Sequence, residues 1–204
     1  MKIKICGLTA PHEAEWLNTA HVDYAGMVLF FPKSKRNISL AQARPIMAAL
    51  SPETAKTAVT VSPTAKQVRA IADAGFDILQ VHGSLAEDVI AACPLPIFKA
   101  FNITDLPRYN EYAARPEIAG FVFDAHEPGS GKTFDWNELK GLGRCGKIFM
   151  LAGGLNAENV GRAIEAVRPD GVDVSSGVEY ADKPGKSPEL IEKFVRAVRA
   201  AAEK

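Results

Sequence analysis

The chain has 204 residues, enough for one well-filled core but short for two independent α/β domains, so residues 1–204 are read as a single domain. Its 24 Lys+Arg balance 24 Asp+Glu, and no basic block interleaves with aromatics, which excludes a nucleic-acid surface. Three scattered cysteines without a C-x-x-C pair indicate neither a disulfide framework nor a metal site, and no apolar stretch approaches the roughly 20 residues of a membrane span. The expectation is a cytoplasmic protein in a reducing compartment, with no membrane and no nucleic acid among its partners.

The first element is KIKIC (2–6), where Ile3 and Ile5 alternate with Lys2 and Lys4 in a strand pattern, and Gly7 to Pro11 then supply a turn and a helix start. Apolar, β-branched runs recur at 24–30, 56–61, 77–82, 96–101, 118–124, 147–152 and 171–176, making eight candidate strands. Helical spacing fills the intervals at Leu40 to Leu50, Ala65 to Ala74 and Asn156 to Val167. The last helix is Ser187 to Ala202, with Ile191, Phe194, Val195 and Val198 on one face. Ser39, Thr64 and Ser187-Pro188-Glu189 are suited to helix starts, and Gly75 to a helix end. After Asn102 and after Asp135 the pattern is broken by Pro107 and by Gly141 and Gly143, so distorted or abbreviated elements are expected there.

Eight strand-helix units predict an α/β fold, a small single-domain (β/α)8 TIM barrel with short loops. An open doubly wound sheet is the alternative, but no G-x-G-x-x-G follows the first strand.

In such a barrel the carboxyl ends of the strands converge on one mouth, which here collects Cys6, the loop from Phe31 to Arg36, Gln80, His82, Asp124, Gly153-Gly154, Asp173 and Ser175-Ser176-Gly177. Cys6 is either a small buried hydrophobe or, as a thiolate near positive charge, a proton acceptor. Asp124 closes an apolar strand; it either caps the next loop or, with its pKa raised by burial, serves as a general acid. Gly153-Gly154 and Ser175-Ser176-Gly177 are a turn and a cap when taken singly. Together, on the last two units, they offer backbone N–H groups to a phosphate. Arg36, just ahead of the Ser39 helix start, can turn inward and take a carboxylate bidentately, while Lys33 and Lys35 read as a solvated surface.

The segments KICGLT, FFPKSKRNIS, QVHG, FDAHEPGSGKTFDW, LAGGLNAENV and VDVSSGVE resemble, in order from residue 3 to about residue 180, the successive motifs of the phosphoribosylanthranilate isomerases. The resemblance implies a cofactor-free aldose-ketose isomerase of tryptophan biosynthesis. Its reaction is the Amadori rearrangement of N-(5′-phosphoribosyl)anthranilate to 1-(2-carboxyphenylamino)-1-deoxyribulose 5-phosphate. It makes Asp124 the acid that opens the furanose ring, Cys6 the base that takes the C2′ proton, Arg36 the holder of the anthranilate carboxylate, and Gly153, Gly154, Ser175, Ser176 and Gly177 the phosphate site. Neither metal nor redox cofactor is implied, since the Schiff base is the electron sink. The partner is a small phosphorylated substrate, with monomer and homodimer both open.

Two rivals differ in identifiable residues. The histidine-pathway isomerase of an analogous aminoaldose is expected to carry aspartate where Cys6 stands, and a non-catalytic phosphate-binding barrel needs no pair such as Cys6 and Asp124. Roles for His82, His126 and Glu127 are not assigned from the sequence.

Overall fold

Each of the eight apolar runs becomes a strand of one parallel sheet in the computed structural model, which describes residues 1–125 and 133–203. In chain order the strands are β1 (Lys2–Cys6), β2 (Tyr24–Leu29), β3 (Asn37–Ile38), β4 (Ala55–Val61), β5 (Ile78–His82), β6 (Ile97–Asn102), β7 (Ile118–Asp124), β8 (Ile148–Leu151) and β9 (Gly171–Val174). β1 pairs with both β2 and β9, so β1, β2 and β4 to β9 close on themselves, and the two-residue β3 adds to β2 at Val28 and Leu29. The expected barrel is thus present. β3, inside the loop that carries Arg36, is an element the sequence pattern does not signal.

Outside the sheet lie helices α1 (Pro11–Ala20), α2 (Leu40–Ala49), α3 (Ala65–Asp73), α4 (Glu87–Ala92), α5 (Tyr109–Ala113), α6 (Val160–Val167) and α7 (Pro188–Ala202). The side chains of Ser39, Thr64 and Ser187 accept the backbone N–H groups of Gln42, Gln67 and Leu190, as their positions predict. Where Pro107 removes a donor, the chain runs as a 3-10 helix over Ile103–Arg108 before the short α5. The segment after Asp135 holds a single 3-10 turn, Trp136–Leu139.

Period-two alternation divides the apolar residues into two cores. Ile3, Ile5, Phe101, Phe121 and Phe123 face the helices, while Tyr24, Ile78, Phe98, Val122 and Met150 fill the barrel. The same alternation on β1 sends Lys4 and Cys6 inward. Two expected boundaries shift at the mouth: β9 ends at Val174, so Ser175 and Ser176 belong to the following turn, and α6 starts at Val160, leaving Asn156 to Asn159 in the loop. The β9 shift takes Ser175 and Ser176 out of the ladder where an anion site is expected, while the N–H groups of Asn156, Glu158 and Asn159 stay bonded within their own turn. Among the described residues no helix is long and apolar enough to cross a membrane.

Candidate active site

Strand register builds the first corner of the mouth. β9 sets Asp173 opposite Lys4, and β2 sets Gly26 opposite Cys6. Lys4 is completely buried and its Nζ lies 2.8 Å from Asp173 Oδ2. Burial opposes the charge on Lys4, but Asp173 and Cys6 override it and lift the ammonium above its ordinary pKa. A Cβ at position 26 would lie 2.9 Å from the Cys6 sulfur and 3.1 Å from Lys4 Nζ. Gly26 therefore keeps open the space in which thiol and ammonium meet. Burial raises the Cys6 pKa and Asp173 adds to the rise, while Lys4 and Lys186 pull it back.

Asp124 ends β7 beside Asn102 of β6. Its Oδ1 accepts the N–H of Ala125 at 2.8 Å. Burial pushes its pKa up to about 6 against that hydrogen bond, so near neutral pH the carboxyl exchanges its proton readily. Across the mouth, burial lowers His82 to about 3, with Lys99 and Lys4 contributing, and the imidazole is neutral. Gln80 Nε2 lies 3.0 Å from His82 Nε2. His126 and Glu127 lie outside the described residues.

The two glycine-containing loops after β8 and β9 touch. Gly153 and Gly154 have φ of 84° and 61°, conformations open to glycine at little cost. A Cβ on Gly153 would come within 2.6 Å of the Ala125 nitrogen, and one on Gly177 would overlap the carbonyl oxygen of Leu155. Close backbone approach thus joins Asp124, the Gly-Gly turn and the Ser-Ser-Gly turn into one rim. Asn159 fixes it from below, donating from Nδ2 to the Gly154 carbonyl at 2.9 Å and accepting the Asn156 N–H at 2.8 Å. Ser176 opens the 3-10 turn Ser176–Val178. The Ser175 hydroxyl donates to the Cys6 carbonyl at 2.9 Å and accepts from Lys186 Nζ at 3.3 Å, so it ties this rim to β1.

Arg36 reaches the same corner. Its Cδ occupies the place a Cβ on Gly7 would need. Its guanidinium grips Glu179, Nε donating to Oε1 and Nη2 to Oε2, the latter at 3.1 Å. Lys35 and Lys186 add contacts to the same carboxylate at 2.9 and 3.1 Å. Burial would raise the Glu179 pKa, but Arg36, Lys186 and Lys35 hold it down to about 2. Glu13, fully buried in α1, accepts the backbone N–H groups of Thr9 and Ala10 and, at 2.7 Å, that of Lys186. The loops after β1 and β9 are clamped together by one carboxylate.

All the expected site residues therefore share one mouth. Four further residues there, Lys4, Glu13, Glu179 and Lys186, are not singled out by the sequence reading. Lys4 has a visible signal: it stands two residues before Cys6 in an alternating strand and so shares its face. The other three have none, because their partners lie 143 to 173 positions away or, for Lys186 with Glu179, across a turn with no pattern of its own.

A closed parallel barrel that gathers a thiol, a carboxyl raised to about 6 and two apposed glycine turns at its carboxyl end is a (β/α)8 barrel with its chemically active side chains at the strand ends, where enzymes of this fold build their sites. The model of the N-(5′-phosphoribosyl)anthranilate (PRA) isomerase family matches residues 3–197, and the chain belongs to that family. The N-(5′-phosphoribosyl)anthranilate isomerase of Hahella chejuensis is 39% identical over 97% of this chain and 94% of its own length. The crystal structure of the Thermotoga maritima phosphoribosyl anthranilate isomerase superposes with a TM-score of 0.86 at 30% identity, over 98% of this chain and 99% of that one. A further structure of such an isomerase, at 30% identity and TM-score 0.82 over 98% and 99% of the two chains, is a complex with reduced 1-(o-carboxyphenylamino)-1-deoxyribulose 5-phosphate.

Proposed function

We propose that this chain catalyses the Amadori rearrangement of N-(5′-phosphoribosyl)anthranilate to 1-(2-carboxyphenylamino)-1-deoxyribulose 5-phosphate, the isomerase step of tryptophan biosynthesis, with Asp124 as acid and Cys6 as base. The observation that carries the assignment of roles is the pair of environments: a carboxyl raised to about 6 by burial, and a thiol that shares its space with the buried Lys4 ammonium.

Asp124, in its protonated form, delivers its proton to the furanose ring oxygen as the C1′–O bond breaks and the nitrogen lone pair forms the Schiff base. Charge on nitrogen then acidifies C2′–H. The Cys6 thiolate, held by the Lys4 charge, removes that proton, and the C–H electron pair flows to nitrogen to give an enolamine that tautomerises to the ketone. The Gly153-Gly154 turn and the Ser175 to Gly177 turn hold the phosphate, and Arg36 the anthranilate carboxylate. These anchors fix C1′ and C2′ between acid and base and convert a chance encounter into an intramolecular one.

The test is the decay of phosphoribosylanthranilate fluorescence on adding purified protein. Decay far above the spontaneous rate is expected, and decay at the spontaneous rate would sink the assignment. Sulfate soaked into crystals is expected between Gly154 and Ser176; an anion at the amino-terminal face alone would remove the phosphate site from this rim.

A further inference from the structure

We propose that Glu179 is a positioning residue for Arg36: it holds one edge of the guanidinium so that the other edge is presented to the carboxylate of the substrate. The inference rests on the reading of Arg36 given above and extends it to a residue that touches no reacting atom.

A guanidinium has two edges able to take a carboxylate with two parallel hydrogen bonds, one formed by Nε and Nη2 and one by Nη1 and Nη2. Glu179 occupies the first, and no protein acceptor meets Nη1 among the described residues. The Arg36 side chain is only 12% exposed, so its orientation is set by the protein rather than by solvent. Glu179 is itself held in place by Lys186, whose side chain is completely buried, and the backbone N–H of Lys186 is gripped by buried Glu13. The missing Cβ of Gly7 gives Arg36 its path across the end of β1.

Charge points the same way. One carboxylate faces Arg36, Lys35 and Lys186, leaving the corner with an excess of positive charge even after Glu179 is counted. A buried or half-buried cation left in excess is stabilised by an incoming anion. Glu179 therefore fixes direction without cancelling the attraction, and Lys186, bonded also to the Ser175 carbonyl and hydroxyl, links the Arg36 corner to the rim that takes the phosphate. The spacing between the two anion-holding ends is thereby set by one hydrogen-bonded chain.

The experiment compares wild type, Glu179→Gln, Glu179→Asp, Arg36→Met and the Arg36→Met/Glu179→Gln double variant. Readouts are steady-state kinetics, binding of anthranilate by its fluorescence, inhibition by inorganic phosphate, and thermal unfolding. Glu179→Gln is expected to raise KM by roughly ten- to a hundredfold, the scale of a side chain displaced by about an ångström, and to lower kcat less than that. Anthranilate binding should weaken in parallel while phosphate inhibition stays unchanged. Glu179→Asp, which keeps a charge for Lys186, should recover part of the loss. In the Arg36→Met background Glu179→Gln should do nothing further. Equal losses toward anthranilate and phosphate, or the same KM penalty with and without Arg36, would make Glu179 an anchor of the loop only. Tighter anthranilate binding by Glu179→Gln would make it a competitor for Arg36; either result overturns the proposal. A wild-type protein without turnover would refute the functional reading instead, and the anthranilate and phosphate arms would still decide the role of Glu179.

Discussion

On the β1–β9 side of the barrel mouth, Lys4 meets Asp173, and Arg36, Lys35 and Lys186 meet Glu179, whereas on the β5–β7 side Asp124 and His82 have no ion-pair partner among the described residues. In the first group pairing lifts Lys4 and lowers Glu179 to about 2, while burial still pushes Asp173 up and Lys186 down against their partners. The second is pushed toward neutrality by burial, Asp124 to about 6 and His82 to about 3. Pairing offsets part of the cost of burying a charge, while unpaired, desolvated groups change protonation state more readily. On the proposed reading, one side of the mouth holds anions and the other moves a proton. Cys6 stands on the first side but is pulled both ways, raised by burial and lowered by two lysines.

The largest effects should come from the groups that move protons. Asp124→Asn and Cys6→Ser should each lower kcat by roughly 10²- to 10⁴-fold while circular dichroism is unchanged. The first substitution should also stabilise the protein. Asp124 holds its proton more tightly when folded, about 6 against an ordinary 3.8, so the stability it lends below pH 3.8 is lost as pH rises through 6. At pH 8 the asparagine should recover up to about 3 kcal/mol in urea unfolding. A variant with near-wild-type kcat and no gain in stability would place the carboxyl outside the chemistry and outside a desolvated site.

Lys4→Met removes one charge from the paired side, and leaving Asp173 buried alone should cost roughly 3–5 kcal/mol. Lys4→Met combined with Asp173→Asn should regain most of it. In that double variant the pH dependence of Cys6 alkylation, followed by mass spectrometry so that Cys93 and Cys145 do not interfere, should move to higher pH. Unchanged alkylation would mean that the pull of the ammonium on the sulfur is no larger than the opposing push of Asp173.

The pH dependence of kcat/KM sharpens the contrast between the sides. On the proposed roles the working form has Asp124 protonated and Cys6 deprotonated, whereas Asp124 titrates near 6 and Cys6 above its ordinary value of 9.0. Activity should rise about tenfold per pH unit up to about 6, where only the thiolate fraction changes, and then level off as loss of the Asp124 proton cancels the gain. Residual activity of Asp124→Asn should lack the break near 6; a break that persists belongs to another group.

The smallest effect is expected at Lys35. Its side chain is 73% exposed, so its contact with Glu179 contributes less than about 1 kcal/mol, and Lys35→Met should barely change KM, while Arg36→Met should raise it strongly. Equal effects would reduce the corner to a diffuse positive field.

Much of this was legible in one dimension. Alternation and β-branched runs mark eight strands because a half-buried pleat demands them, and Ser39, Thr64 and Ser187 mark helix starts because their hydroxyls satisfy N–H groups two or three residues on. Cys6, Asp124, the Gly-Gly turn and the Ser-Ser-Gly turn stand out because each falls where a strand hands over to a loop, a local property. The stretch of sequence after Asp124 that carries His126 and Glu127 has no such local signature, and β3 is too short to show a period.

What local pattern cannot convey is which distant groups share a face. Lys4 reads as the polar member of an alternating strand, and only closure of the barrel, pairing β1 with β9 and β2 at once, turns it inward against Asp173 and Cys6. Arg36 can be marked as inward-facing, but its grip on Glu179 depends on a carboxylate 143 positions away. The rise in the Asp124 pKa likewise comes from burial by the walls around it, against the hydrogen bond from its chain neighbour Ala125. Backbone propensity and hydrophobic period act over a few residues and so are written along the chain. Desolvation and charge pairing act through space, and they come into being only when the last strand returns beside the first.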